Sequence, residues 1–404
     1  MITLAPDPHV PQRDEMLDAA AMGPRLARLL GPLTVEDCTR VVARYRVGQR
    51  VSVAYRVRID GAVHVVTARS YPTAGKAAAA AARSTVGAVP VSPLRPVAWD
   101  GELRAVYWAF PNDNRVAAVN VLRPRRSGVV AARLVRYLPE RNAVAAWSDA
   151  GGATVAYAKA YAEVGTHVPA AHAWLTARLD GDLRVSRLLS FSPAARLLVT
   201  EALGGDRLDQ LHGAERERAL RALGRGLARL HDVPPPGWLP CRPWLPMSVR
   251  AVTDAIAAVR PDLADAAGAL YHALCASRPS YAGPLVCLHN DPSPRNVFMA
   301  EGGVALIDLD SIALGPAAID LARVLAALLG QRVVGALTPP EHDRLRAALL
   351  AGYAELRDPP PDRAVRWHTA ATLCEVRGRK AVAWLDPVSA EHLDALLTAA
   401  RELL

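Results

Sequence analysis

The chain has 404 residues, of which 51% are apolar and 22% charged, enough for two or three domains with real cores at about 100–200 residues each. No window of about 18 charge-free apolar residues occurs, which argues against a membrane span, and the five scattered cysteines include no C-x-x-C pair, which argues against a zinc site or a disulfide framework. The net charge of +9 is spread along the chain rather than gathered in a stripe, so no nucleic-acid partner is expected. The first residues, Met1-Ile2-Thr3-Leu4-Ala5-Pro6-Asp7, carry neither the basic nor the apolar region of a secretion signal. The expected location is the cytoplasm.

In chain order, residues 1–35 read as a Pro-rich tail leading into a short helix. From 41 to 71, alternating Val, Tyr and Thr broken at Val47-Gly48-Gln49 and Asp60-Gly61 predict an antiparallel meander. An Ala-rich helix is expected over 75–89, and strands over 103–121. A helix over 166–179 then precedes strands at 183–191 and 195–201, with a break at Ala202-Leu203-Gly204-Gly205. Helical spacing of apolar residues runs from Ala214 to the Val233-Pro234-Pro235-Pro236-Gly237 stop, and another helix is expected over roughly 249–277. A β-rich segment at 284–310 precedes a mostly helical remainder. This is an α+β design, with a β-rich lobe before a helical one.

Two local signals stand out. Arg44-Tyr45-Arg46 resembles Arg136-Tyr137-Leu138, and Thr67-Ala68-Arg69-Ser70-Tyr71 resembles Tyr157-Ala158-Lys159-Ala160-Tyr161 at a similar offset. A duplicated meander is inferred, although two unrelated hairpins would read the same way. Second, only Lys76, Lys159 and Lys380 among 48 basic residues are lysines. Where arginine supplies nearly all the positive charge, a retained lysine is a candidate for a role that arginine cannot fill.

The stretch Leu288-His289-Asn290-Asp291-Pro292-Ser293-Pro294-Arg295-Asn296-Val297 is followed, twelve residues after Asn296, by Asp308 within Leu306-Ile307-Asp308-Leu309-Asp310. A turn at Glu301-Gly302-Gly303 folds one strand back on the other and gathers two carboxylates and an amide. Phosphoryl transfer needs such a set: one carboxylate to deprotonate a hydroxyl, and oxygen ligands to hold magnesium against phosphates.

This H-x-D-x-x-x-x-N pattern with its following Asp resembles the aminoglycoside phosphotransferase and choline kinase superfamily, over roughly residues 130–400. The resemblance implies a protein-kinase-like two-lobed fold, with ATP and Mg2+ as cofactors. By it Asp291 is the catalytic base, His289 supports its loop, Asn296 and Asp308 bind the metal, and Asp320 in Gly315-Pro316-Ala317-Ala318-Ile319-Asp320 braces the loop from behind. Lys159 falls where the family's phosphate-binding lysine sits, with Glu163 or His172 as its available partners. Arg141 and Asn142 fall at the turn that covers the triphosphate, and Thr200, Glu201 and Leu203 at the hinge that meets adenine. Asp310 is read as bonding nearby backbone.

The resulting division is an accessory subdomain at 1–125, a nucleotide-binding lobe at 126–203 and a helical lobe with catalytic loop and acceptor site at 204–404. A dozen residues between Asp308 and Asp320 leave no room for a peptide platform, which sets protein kinases aside. A pseudokinase or nucleotide-binding regulatory module is the alternative to a small-molecule kinase. The layout is similar to maltokinase-like and glucosamine-kinase-like proteins. Acidic residues (Asp254, Asp262, Asp265, Glu341, Glu375, Asp386) and Trp244, Trp367 and Trp384 on the helical side suit a sugar, an amino sugar or an aminoglycoside-like antibiotic as acceptor.

Overall fold

The computed structural model describes residues 4–31, 33–124, 126–179, 181–241, 246–280, 283–300 and 302–404. Two helices, α1 (Arg13–Leu17) and α2 (Ala19–Leu30), occupy much of the stretch read as a tail. They lead into a meander of β1 (Val35–Arg46), β2 (Arg50–Ile59) and β3 (Ala62–Ser70). Its second turn has φ of 49° at Asp60 and 71° at Gly61, the left-handed pair that matches the twist of a two-residue hairpin. Helix α3 (Ala74–Thr85) starts at Thr73, whose hydroxyl accepts the N–H of Lys76. Strands β4 (Val97–Asp100) and β5 (Ala105–Ala109) then complete a sheet in the order β1-β2-β3-β5-β4.

The same connectivity follows again. Strands β6 (Ala131–Leu138), β7 (Asn142–Ser148) and β8 (Thr154–Tyr161), helix α4 (His167–Thr176), the short β9 (Leu183–Val185), β10 (Leu188–Ser192) and β11 (Leu197–Glu201) follow in order. The second sheet is ordered β6-β7-β8-β11-β10. Each sheet thus has a three-strand meander, a helix, and a returning pair whose last strand sits beside the third. Arg69 on β3 and Lys159 on β8 hold corresponding places. Each lies over the tyrosine two residues on, Arg69 5.1 Å from the ring centre of Tyr71 and Lys159 5.0 Å from that of Tyr161.

The helical lobe begins with α5 (Gly213–Asp232), which buries Leu220, Leu223, Leu227 and Leu230 at helical spacing. Each contributes roughly 1.5–3 kcal/mol relative to exposure. The expected helix over 249–277 is two, α6 (Pro246–Val259) and α7 (Ala264–Ala276). Pro261 separates them, since its ring and missing N–H cannot continue a helix. Strands β12 (Val286–Leu288), β13 (Val297–Ala300), β14 (Gly303–Leu306) and β15 (Ala313–Gly315) carry the chemically informative segment, and β9 joins β14 in parallel. Helices α8 (Ala318–Val333), α9 (Pro339–Ala354), α10 (Asp362–Leu373), α11 (Arg379–Ala383), α12 (Pro387–Glu391) and α13 (Leu393–Arg401) complete the lobe, with a π-helical turn at Cys374–Gly378 between α10 and α11. No described helix is long and apolar enough to cross a membrane.

The first sheet touches both other parts. Its Tyr55, Val57 and Ile59 share one apolar core with Val252 and Ile256 of α6, Leu270 of α7, Trp367 of α10 and Leu396 of α13. It also meets the β6–β7 turn: Arg44 donates to the carbonyl of Pro139 (3.3 Å), Thr67 to the hydroxyl of Tyr137 (3.3 Å), and Arg69 pairs with Glu140. The lobes are linked by Ala202–Asp206, where Gly205 has φ of 101° and a Cβ would lie 1.8 Å from the carbonyl oxygen of Met299. Only glycine fits that passage.

Candidate active site

Strand β12 delivers His289, Asn290 and Asp291 to a loop held from below. Asp320, on the first turn of α8 and fully buried, accepts the main-chain N–H of His289 at 2.8 Å and of Asn290 at 2.7 Å. Its third partner is His231 at 3.3 Å, which in turn meets the hydroxyl of Tyr353 at 2.8 Å. His289 is fully buried as well. Its Nε2–H donates to the carbonyl of Ile307 (3.0 Å), and its Nδ1 accepts the N–H of Asp291 (3.3 Å), a bonding pattern that fixes the tautomer. These two bonds tie His289 to the loop on one side and to the β14 end of the hairpin on the other. Asn290 holds φ of 60° while its amide donates to Ser311 (3.1 Å). Asp291 is left partly exposed, with Asn296 Nδ2 3.3 Å and Arg295 3.9 Å from its carboxylate.

The β13–β14 hairpin brings Asp308 back beside this loop, in the left-handed region at φ 68°. Lys159 Nζ lies 2.8 Å from Asp308 and 2.7 Å from Asp310, and the hydroxyl of Tyr161 donates to the other oxygen of Asp310 at 2.7 Å. This corrects two expectations. The partners of Lys159 are these aspartates, whereas Glu163 pairs with Arg115 and His172 bonds the carbonyl of Ser186 (2.8 Å). Asp310 serves side chains rather than backbone, because the 3-10 turn Leu309–Ser311 swings it toward the second sheet.

A cavity of about 470 Å³ opens between the sheet and the hairpin, lined by Lys159, Tyr157, Asn142, Asn296, Asp308 and Asp310. Thr200, Glu201 and Leu203 line its far side. The N–H of Ala202 is already given to Val155 (3.1 Å), and Leu203 has no main-chain hydrogen-bond partner among the described residues. Arg141 is not in this cavity. The β6–β7 turn, with Glu140 at φ 58°, directs it into a separate cavity of about 670 Å³ with Arg44, Arg50 and Trp384. Arg136, on β6, takes the place facing Asp308 instead. Sequence reading missed it, although its alternation with Tyr137 was the available signal.

On the other side of Asp291 lies a third cavity of about 200 Å³, against α8, α10 and the π-helical turn. Among the described residues, none of the acids and tryptophans counted on the helical side lines it. Trp367 is a core residue whose indole donates to Leu274 (3.0 Å), Trp384 faces the 670 Å³ cavity, and Trp244 lies outside the described residues. Asp254 faces that same large cavity, Asp262 pairs with Arg260 (2.5 Å), and Asp265 is exposed on α7. Glu341 and Asp386 cap helices, and Glu375 pairs with Arg379 (3.0 Å).

The donor set suits a hard cation. Asn296 turns its amide nitrogen to Asp291, which leaves its oxygen for the 470 Å³ cavity, and Asp308 gives only one oxygen to Lys159. Oxygens without protein partners facing an open cavity are what magnesium coordination requires. Among the described residues no cluster of three or more His, Cys, Asp or Glu forms a protein-only metal cage, so phosphate oxygens would have to complete the shell.

Several solved structures are similar to this chain. Amicoumacin kinase hAmiN, in complex with AMP-PNP, Ca2+ and Ami, matches at 12% identity and TM-score 0.51 over 71% of this chain and 91% of that one. A thermostable mutant of aminoglycoside phosphotransferase APH(4)-Ia matches at 11% identity and TM-score 0.50 over 68% and 94%. A choline/ethanolamine kinase family protein from Mesorhizobium loti matches at 16% identity and TM-score 0.48 over 71% and 93%. No curated protein sequence matches the chain. The family model of the phosphotransferase enzyme family spans residues 142–366, from the start of β7 into α10. The chain therefore belongs to the phosphotransferase enzyme family.

Proposed function

We propose that this enzyme moves the γ-phosphoryl group of ATP, with magnesium, onto a hydroxyl of a small molecule, with Asp291 as catalytic base. The observation that carries the reading is the position of Asp291 at the junction of two cavities. Lys159 and Asp308 line one, Asp291 lines the other, and Asp209 and Arg295 line both. A nucleotide entering the first and an acceptor entering the second would meet there.

The adenine would lie against Thr200, Glu201 and Leu203, and Lys159, held by Asp310, would face the phosphates. Asn296 and Asp308 would hold magnesium, which supplies charge neutralisation of the phosphates. Asp291 takes the proton of the acceptor hydroxyl as its oxygen bonds to the γ-phosphorus, and the bond to the β-phosphate oxygen breaks to leave ADP. Arg295 stands beside the path of the transferred group. In this reading residues 126–203 form the nucleotide-binding lobe, 204–404 the catalytic lobe, and 1–125 an accessory subdomain.

Sugars, amino sugars and aminoglycoside-like antibiotics are the acceptor classes to screen. The test is ATP consumption across that panel by the wild type and Asp291→Asn. Acceptor-dependent ADP release lost in the variant supports the proposal. ATP binding without transfer to any acceptor would support a regulatory module instead.

A further inference from the structure

Resting on that reading, the charge around Asp291 points further: we propose that the acceptor is a small hydroxylated anion, carrying a phosphate or carboxylate group, which Arg323, Arg377 and Lys380 recognise. These three cations line the 200 Å³ cavity and not the nucleotide cavity. Its two acids, Asp209 and Asp291, sit at the junction end, with Arg295 between the cavities.

The cations are not spoken for by the protein. Lys380 and Arg377 have no hydrogen-bond or ion-pair partner among the described residues, although both are half-buried. Burial lowers the proton affinity of both, Arg377 and Arg295 add to it at Lys380, and Asp386 only partly offsets it, so an incoming anion would relieve an unfavourable arrangement. Arg323 reaches only loosely toward Glu375 (3.8 Å) and Asn290 (3.4 Å), and its buried Nε has no partner. The hydroxyl of Ser293, on the same wall, is also buried and unpartnered.

The backbone is shaped to present this set. The π-helical turn Cys374–Gly378 shifts the helix phase so that Val376, Arg377 and Lys380 face one cavity, and such bulges concentrate at functional sites. On the facing helix Gly330 clears the way, since a Cβ there would come within 2.6 Å of the Arg377 guanidinium. Lys380 is one of only three lysines in the chain, and this cavity is a place where a compact charge at the end of a flexible stem differs from a guanidinium. The volume also bears on the acceptor. At about 200 Å³ it falls below the roughly 300–1,000 Å³ of sites for drug-sized ligands, which fits one ring or a short chain better than a multi-ring antibiotic.

The test measures binding of four probes to the full chain saturated with AMP-PNP and magnesium: glucose 6-phosphate, glucuronate, glucose and glucosamine. At least one anion should bind about tenfold or more tightly than glucose, with glucosamine weakest. Whichever anion leads identifies the charged group. Lys380→Met and Arg377→Met should each erase about tenfold of that preference, with AMP-PNP affinity unchanged. Lys76→Met, which removes an exposed charge on α3, should change nothing. Glucosamine binding best, no preference for either anion, or a preference that survives both cavity substitutions would overturn the inference. Failure of the underlying kinase reading shows differently, as absent AMP-PNP binding or undiminished transfer by Asp291→Asn.

Discussion

Lys159 and Asp308 are 149 residues apart in the chain and 2.8 Å apart in the fold, so one ion pair joins the second sheet to the catalytic hairpin. Burial alone would lower the proton affinity of the lysine, but Asp310, Tyr161 and Asp308 reverse this and raise it. Burial would likewise raise the Asp308 pKa, and Lys159 overrides it, holding the carboxyl at about 2. A depressed acid contributes its stability above the ordinary carboxylate pKa and loses it as pH falls through the folded value. The pair therefore stays charged through the neutral range. Asp308→Ala should abolish magnesium-dependent AMP-PNP binding, measured by calorimetry. Asp291→Asn should keep that binding and lose about three orders of magnitude in turnover.

The two sheets provide a matched pair of substitutions. Lys159→Ala removes the one lysine lining the 470 Å³ cavity and the partner of Asp308, and should lower kcat/KM for ATP by orders of magnitude. Arg69→Ala, at the corresponding place in the first sheet, strips a partner from buried Glu140, which keeps Asn114 at 2.9 Å. Its cost should be about 1–3 kcal/mol of stability, with kcat/KM retained. Equal kinetic losses would place the nucleotide under both sheets.

Asp320 acts through the loop it holds. Asp320→Asn keeps the shape but turns an N–H toward one of the two loop amides, at a cost of about 1–3 kcal/mol. The expected kinetic signature is a fall in kcat with little change in KM for ATP, because Asp291 is misplaced while the nucleotide cavity is intact. A variant that lost only thermal stability would make Asp320 a folding residue.

Acid stability should carry the mark of His368. Burial, with Arg323 and Arg278 adding to it, pushes this imidazole down to about 3. Between that value and its ordinary 6.5, the unfolded chain binds a proton that the folded protein refuses. Stability is thus full above the ordinary value and declines as pH falls, by up to about 1.4 kcal/mol per unit for one proton. Urea unfolding of His368→Gln should show a shallower decline between about pH 7 and pH 5. An unchanged slope would assign the acid limb to other groups.

What the sequence made legible was local. The hairpin carrying Asp291, Asn296 and Asp308 is a short stretch with a glycine turn, so spacing and alternation are enough to gather its oxygens. The repeated meander was legible for the same reason, and its shared strand order could then be seen. The direction of Arg141 was not, because a single left-handed residue at Glu140 decides which cavity it enters. Nor was the basic wall beside Asp291. Arg323, Arg377 and Lys380 converge only through the packing of α8 on α10 and a π-helical turn, and nothing in helical periodicity announces the extra residue. The acids of the helical side were counted without contacts being assigned to them, and capping and local arginines had already claimed most of them.

The first sheet has its apolar face in the helical lobe and its polar edge on the β6–β7 turn. It therefore spans the outer side of the cleft like a splint across a joint. Rocking of the nucleotide-binding sheet away from the helices would have to stretch the contacts of Arg44, Thr67 and Arg69 while their own strands stay anchored to α6 and α10. On the proposed function, nucleotide would enter and leave through an opening about Ala202–Asp206 that these contacts restrain, and a chain cut off before β6 would lose the restraint together with a wall of the helical core.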